Sequence, residues 1–212
     1  MLASSIITDV LTIFGDENQV QITEADIIRW INDAQLQVVN KTECLIKDES
    51  PATPLVAGTA RYAIPADFLK FKRVVVDGRT LDPAPAALLD HVSKLRHSST
   101  NGETGSPRFY YREGGYVYLY PTPDYAYSYV LTYVNRPTAI TAGSDSLTIR
   151  EEYCATVKKL CLARAYELDD QFDQATKKEK EFEREVDEDI ADEKNANADS
   201  YPSVRPVGDD WW

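Results

Sequence analysis

This 212-residue chain is short of the residues from which most catalytic and metal sites are built: it has two histidines, three cysteines and nine glycines. His91 lies beside Asp90 on a short predicted helix, and His97 sits at that helix's end, where a cation is favourable against the dipole. Both read as surface or capping residues. Cys44, Cys154 and Cys161 lack paired-ligand spacing and are expected to be reduced core residues. Cys154 and Cys161 share a helical face, but two thiols alone make no zinc site. No glycine loop that cradles phosphate, no Gly-x-Ser-x-Gly elbow and no calcium-loop pattern occurs. The acidic run Asp187-Glu188-Asp189 falls on a predicted helix without the turn glycine of a cation loop, so it reads as a solvated face. Accordingly no catalytic, cofactor-binding or metal-binding residue is assigned, and no enzyme is expected.

Basic charge is also scarce. There are 23 Lys and Arg against 35 Asp and Glu, a net charge of −12, which argues against a basic nucleic-acid surface. The same charge suits a surface that DNA slides past without sticking. No stretch approaches the roughly 18 apolar residues of a membrane span, and no cationic leader precedes an apolar run, so neither insertion nor a signal peptide is expected.

What is present is periodicity. Ile6, Ile7, Val10, Leu11, Ile13 and Phe14 recur at helical spacing and end at Gly15, a natural stop. Thr23 and Asp26 form a capping-box signature for a second helix, which carries Ile27, Trp30, Ile31, Val38, Leu45 and Ile46 and is expected to end near Asp48. From Leu55 to Pro137 the period becomes two. Strands are expected at 62–65 and 71–76, with Asp77-Gly78 as a two-residue hairpin turn. A short helix over Pro85–Leu95 and a Ser/Thr/Gly-rich loop over His97–Pro107 follow. A second hairpin turns at Gly114-Gly115, and the next strand sets Tyr116, Tyr118 and Tyr120 on one face, Val117 and Leu119 on the other. Tyr127, Tyr129, Leu131 and Tyr133 mark a further alternating strand.

The stretch from Leu147 to about Glu193 contains no Pro or Gly and predicts one helix of roughly 45 residues, about 65–70 Å long, with Ser144, Asp145 and Ser146 as candidate caps. Its first half has a broad apolar face. Its second half narrows to Phe172, Phe182, Val186 and Ile190 among many acids, a seam that needs a partner helix or another copy of the chain and is expected to be covered on assembly. Replacing Phe182 and Ile190 is then expected to weaken assembly and leave the fold unharmed.

Beyond Asn195 the chain has no periodicity. Tyr201, Pro202, Val204, Arg205, Pro206 and Val207 predict an extended segment, which closes on Trp211 and Trp212. Two tryptophans do not suit a dispensable end; they fit anchors at an interface, with a tail folded back on its own domain as the alternative.

The expected fold class is α+β: a helical bundle of two N-terminal helices and one long C-terminal helix, with an inserted β-rich lobe and an extended C-terminal tail. The boundaries read 1–54, 55–137, 138–194 and 195–212. The phrases Tyr62-Ala63-Ile64-Pro65-Ala66-Asp67-Phe68 and Gly115-Tyr116-Val117-Tyr118-Leu119-Tyr120-Pro121-Thr122-Pro123, with the long charged helix and its tail, resemble the head-to-tail adaptor (connector) proteins of tailed bacteriophages. The resemblance implies a structural virion neck protein, made in the host cytoplasm and assembled as a ring, typically a dodecamer. It implies a portal protein as partner for the C-terminal tail and a tail or nozzle protein below. Genomic DNA would pass through the channel without specific binding. The alternative from another class is a carbohydrate-binding or host-recognition module using the tyrosine-rich sheet. A carboxylate hydrolase is a third.

Overall fold

The computed structural model describes residues 1–49, 54–85, 87–88 and 103–198, with side chains described through 191. Contacts divide the chain into two units, 1–43 with 137–212, and 44–136. The fold class is α+β.

The first unit is helical. Helix α1 spans Ala3–Phe14 and buries Ile6, Ile7, Val10 and Leu11. It stops where expected, because Gly15 adopts φ 87° and its N–H returns to the Leu11 carbonyl at 2.8 Å. The following loop is organised by one side chain. The Asp16 carboxylate accepts the backbone N–H of Val20, Gln21 and Ile22, each at 2.8 Å. Helix α2, Glu24–Thr42, opens on the Thr23–Asp26 capping box and buries Ile27, Ile31, Ala34, Val38 and Val39. It ends six residues before the expected Asp48, since Glu43 turns left-handed at φ 55°. Ile46 then lies on a strand rather than a helix.

After 136 the chain returns through a loop before any helix begins. Asn32 clamps it: its Nδ2 donates to the Ile140 carbonyl at 2.9 Å and its Oδ1 accepts the Ile140 N–H at 2.7 Å. The candidate cap Asp145 serves this loop instead, accepting Thr141 N–H at 2.8 Å and Ala142 N–H at 3.0 Å. Residues 143–147 strap the N-terminus, with Ala3 N–H donating to Asp145 O at 2.9 Å and Leu147 N–H to Met1 O at 3.1 Å.

The single 45-residue helix does not form. A 3₁₀ turn at Glu151–Tyr153 leads into α3, Cys154–Leu168, and after a three-residue turn α4 runs Phe172–Ala198. Asp170 makes the reversal by adopting φ 56°, a conformation Asp tolerates better than most residues. The physical reason lies in the apolar pattern. The seam of the second half satisfies itself by folding back on the first, and a straight helix would leave it in water. Lys159 pairs with Glu185, and Arg164 Nη1 lies 3.4 Å from Glu179, so α3 and α4 run antiparallel. Helix α3 is buried around most of its circumference, including Val157, Leu160, Cys161, Leu162, Ala163 and Ala165, as befits a central helix.

The second unit has two four-stranded sheets. One has the order β1-β8-β3-β4, from Ile46–Glu49, Tyr129–Asn135, Phe68–Val76 and Arg79–Thr80. The other has the order β2-β7-β6-β5, from Arg61–Ala63, Tyr116–Tyr120, Phe109–Glu113 and Asp82–Pro83. The expected hairpins form, with Asp77 and Gly78 at φ 49° and 75° and Gly114 at 58°. The core of the unit gathers Leu55, Phe68, Val74, Val117, Leu119 and Leu131 with other buried residues. Residues 87–88 are helical, but most of the helix expected over Pro85–Leu95, and residues 97–102 of the loop, lie outside the described residues.

Candidate functional site

Among the described residues no cluster of three or more His, Cys, Asp or Glu is placed to hold a metal ion. His91 and His97 lie outside the described residues. None of the three cysteines forms a disulfide, and burial pushes the Cys154 and Cys161 thiols up, away from reactive thiolate. Asp187 and Glu188 are exposed, Asp189 is half-buried rather than part of a solvated face, and Glu188 lies 3.5 Å from Arg184.

The four residues of the sequence-predicted seam part company. Phe182 is 2% exposed and Val186 fully buried, within the chain's own helical unit, which corrects the expectation that they wait for another copy. Lys41 of α2 stands over the Phe182 ring at 5.6 Å. Ile190 is half-buried. Phe172 is 62% exposed, and beside it, across the Asp170 turn, Leu168 is 57% exposed. The exposure of Leu168 was not legible beforehand, because its place at a turn depends on a reversal that no Gly or Pro announces. A ring contact between Phe14 and Tyr166, with centroids 5.7 Å apart, fastens the end of α1 near this same end of α3. The extended segment of Tyr201, Pro202, Val204, Arg205, Pro206, Val207, Trp211 and Trp212 lies outside the described residues.

The tyrosine stripe takes the faces assigned to it. Val117 and Leu119 are buried in the core, while Tyr116, Tyr118 and Tyr120 lie on the opposite side of β7 with exposed or half-buried rings. These rings engage one another and their neighbours. Tyr118 stacks on Tyr111 of β6, with centroids 4.9 Å apart and planes within 10°. The Arg61 guanidinium lies 4.8 Å above Tyr116. Tyr120 donates its hydroxyl to Glu103 at 2.6 Å, which holds its phenol above the ordinary range.

A polar cluster ties β1 to its sheet. Tyr133 donates to Asp67 at 2.8 Å, and Lys47 Nζ meets the other Asp67 oxygen at 3.0 Å. Burial, reinforced by Asp67, pushes the Tyr133 phenol up to about 12. Burial also works against the Asp67 charge, but hydrogen bonds from Lys47 and Tyr133 outweigh it and hold the carboxyl low. The charged strand Lys47-Asp48-Glu49 at the sheet edge discourages further strand pairing. This cluster reads as structural.

Among the described residues no helix is long and apolar enough to cross a membrane. No curated protein matches the chain. The model of the SU10 adaptor protein family matches residues 1–207, both units and the start of the tail. With that match over nearly the whole length, this chain, a helical unit with an inserted double sheet, belongs to the SU10 adaptor protein family, a family of phage head-to-tail adaptors.

Proposed function

We propose that this structural adaptor forms a ring in the virion neck that joins the portal to the tail around the DNA channel. It docks on the portal through its C-terminal tail. The carrying observation is the family match over residues 1–207. Trp211 and Trp212 are the anchors, with Pro202 and Pro206 limiting the entropy lost when the segment docks. Each buried Trp removes about 150–250 Å² from water, roughly 4–6 kcal/mol at 25 cal/mol per Å² before ordering costs. Arg205, Asp209 and Asp210 set register by charge. Leu168 and Phe172, the exposed apolar pair at the α3–α4 turn, support a protein-facing surface at that end of the helical unit. The carbohydrate-binding alternative gains no support from the tyrosine face, where Tyr111 and Tyr118 stack on each other and Arg61 lies over Tyr116.

The test is to delete residues 201–212 and mix the product with purified portal rings. Loss of co-sedimentation, with unchanged thermal unfolding, is expected. Undiminished binding by the folded truncation rules the docking role out. An unfolded truncation assigns the tail to the chain's own fold.

A further inference from the structure

Folding α4 back on α3 turns Ala175, Phe182 and Val186 inward and leaves one charged face outermost. Lys177, Lys180 and Arg184 follow one another on that face at three- and four-residue intervals, all exposed. With Asp173, Thr176 and Glu181 they line a shallow open groove. Neither Lys177 nor Lys180 has an ion-pair partner among the described residues. One turn further on, the same face becomes acidic at Asp187 and Glu188, both exposed. The Arg184–Glu188 contact at 3.5 Å joins side chains that are each about two-thirds exposed, so water already competes for it.

A chain of net charge −12 repels its own copies at close range, and contact between them requires local compensation. Opposite charges in consecutive blocks along one helix supply it, because the basic block of one copy matches the acidic block of another. We propose that the outward face of α4 is a contact between copies of this chain, in which Lys177, Lys180 and Arg184 of one copy receive Asp187 and Glu188 of the next. This rests on the adaptor-ring reading. Duplex DNA is the weaker candidate for the basic block, since Asp173, Asp187 and Glu188 flank it and repel phosphates.

The experiment compares full-length protein, alone and added to purified portal rings, by sedimentation velocity over a range of concentration and salt. Two variants are used, K177E/K180E/R184E and D187K/E188K, each checked for unchanged thermal unfolding. Wild type is expected to associate more weakly as salt rises. Each variant should need about tenfold higher concentration or more to associate, and an equimolar mixture of the two should recover heteromeric association. If the triple variant fails to fold, loss of association by D187K/E188K and its restoration by K177E alone still decide the matter. Wild-type association unchanged in both variants overturns this contact and leaves the ring standing. Wild type that stays monomeric even on portal rings overturns both. Duplex DNA retained by wild type and released by K177E/K180E/R184E, with association intact, assigns the stripe to nucleic acid instead.

Discussion

The Lys41 ammonium of α2 lies 5.6 Å from the centre of the Phe182 ring of α4, residues separated by most of the chain. The contact places Phe182 in the core of the helical unit, between α2, α3 and its own helix. Phe182→Ala should therefore lower the unfolding free energy of the isolated chain by about 3–5 kcal/mol, through lost burial and the cavity left behind. Phe172→Ser, at a ring 62% exposed, should change it by less than about 0.5 kcal/mol. Denaturant titration of the two variants checks the contrast. Equal effects would mean that α4 does not fold back as described.

The α3–α4 reversal rests on Asp170 at φ 56°. A β-branched residue is strained there, so Asp170→Val should cost about 1–2 kcal/mol. Asp170→Gly should be close to neutral, because Gly adopts that conformation without steric cost while losing more entropy on folding. Helical content by circular dichroism should not rise in either variant. A rise would mean that the turn is converting to continuous helix.

Asp16 accepts three backbone N–H groups, and those to Ile22 and Val20 do most to hold its carboxyl below the ordinary range. A depressed carboxyl contributes stability that is present above the unfolded pKa of about 3.9 and fades as pH falls through the folded value. Asp16→Ala should lower the melting temperature at pH 7. The difference from wild type should shrink progressively below about pH 4. A difference that persists undiminished at pH 2 would assign the effect to packing.

Tyr133 gives the opposite limb. Its phenol is pushed up to about 12 from 10.0, so the unfolded chain releases the proton first. The associated stability is complete below pH 10 and is lost as pH rises from 10 towards 12. In Asp67→Asn the phenol should ionise at lower pH than in wild type, yet stay above 10.0, because burial is the larger cause. Phenolate absorbance against pH, with Tyr133→Phe to identify the signal, measures both.

Local signals were legible wherever neighbouring residues decide the conformation. Gly15 ended α1, Thr23 and Asp26 capped α2, and Asp77-Gly78 turned its hairpin. Alternation put Val117 and Leu119 on one face of the strand and Tyr116, Tyr118 and Tyr120 on the other, because the pleat leaves no other choice, and packing then decided which face turned inward.

Only the tertiary structure decided where apolar stripes find their cover. The α4 stripe has the same period whether it meets another copy or its own chain, so Phe182 and Val186 could not be assigned from spacing. Their burial follows from a reversal at Asp170, a residue that breaks no helix by rule. Ile46, Lys47 and Asp48 likewise continued an apparent helix, and the partner strand drew them into a sheet, with Ile46–Glu49 paired to Leu131–Val134. In both cases the deciding free energy came from contacts distant in sequence, where helical and strand propensities differ by too little to prevail.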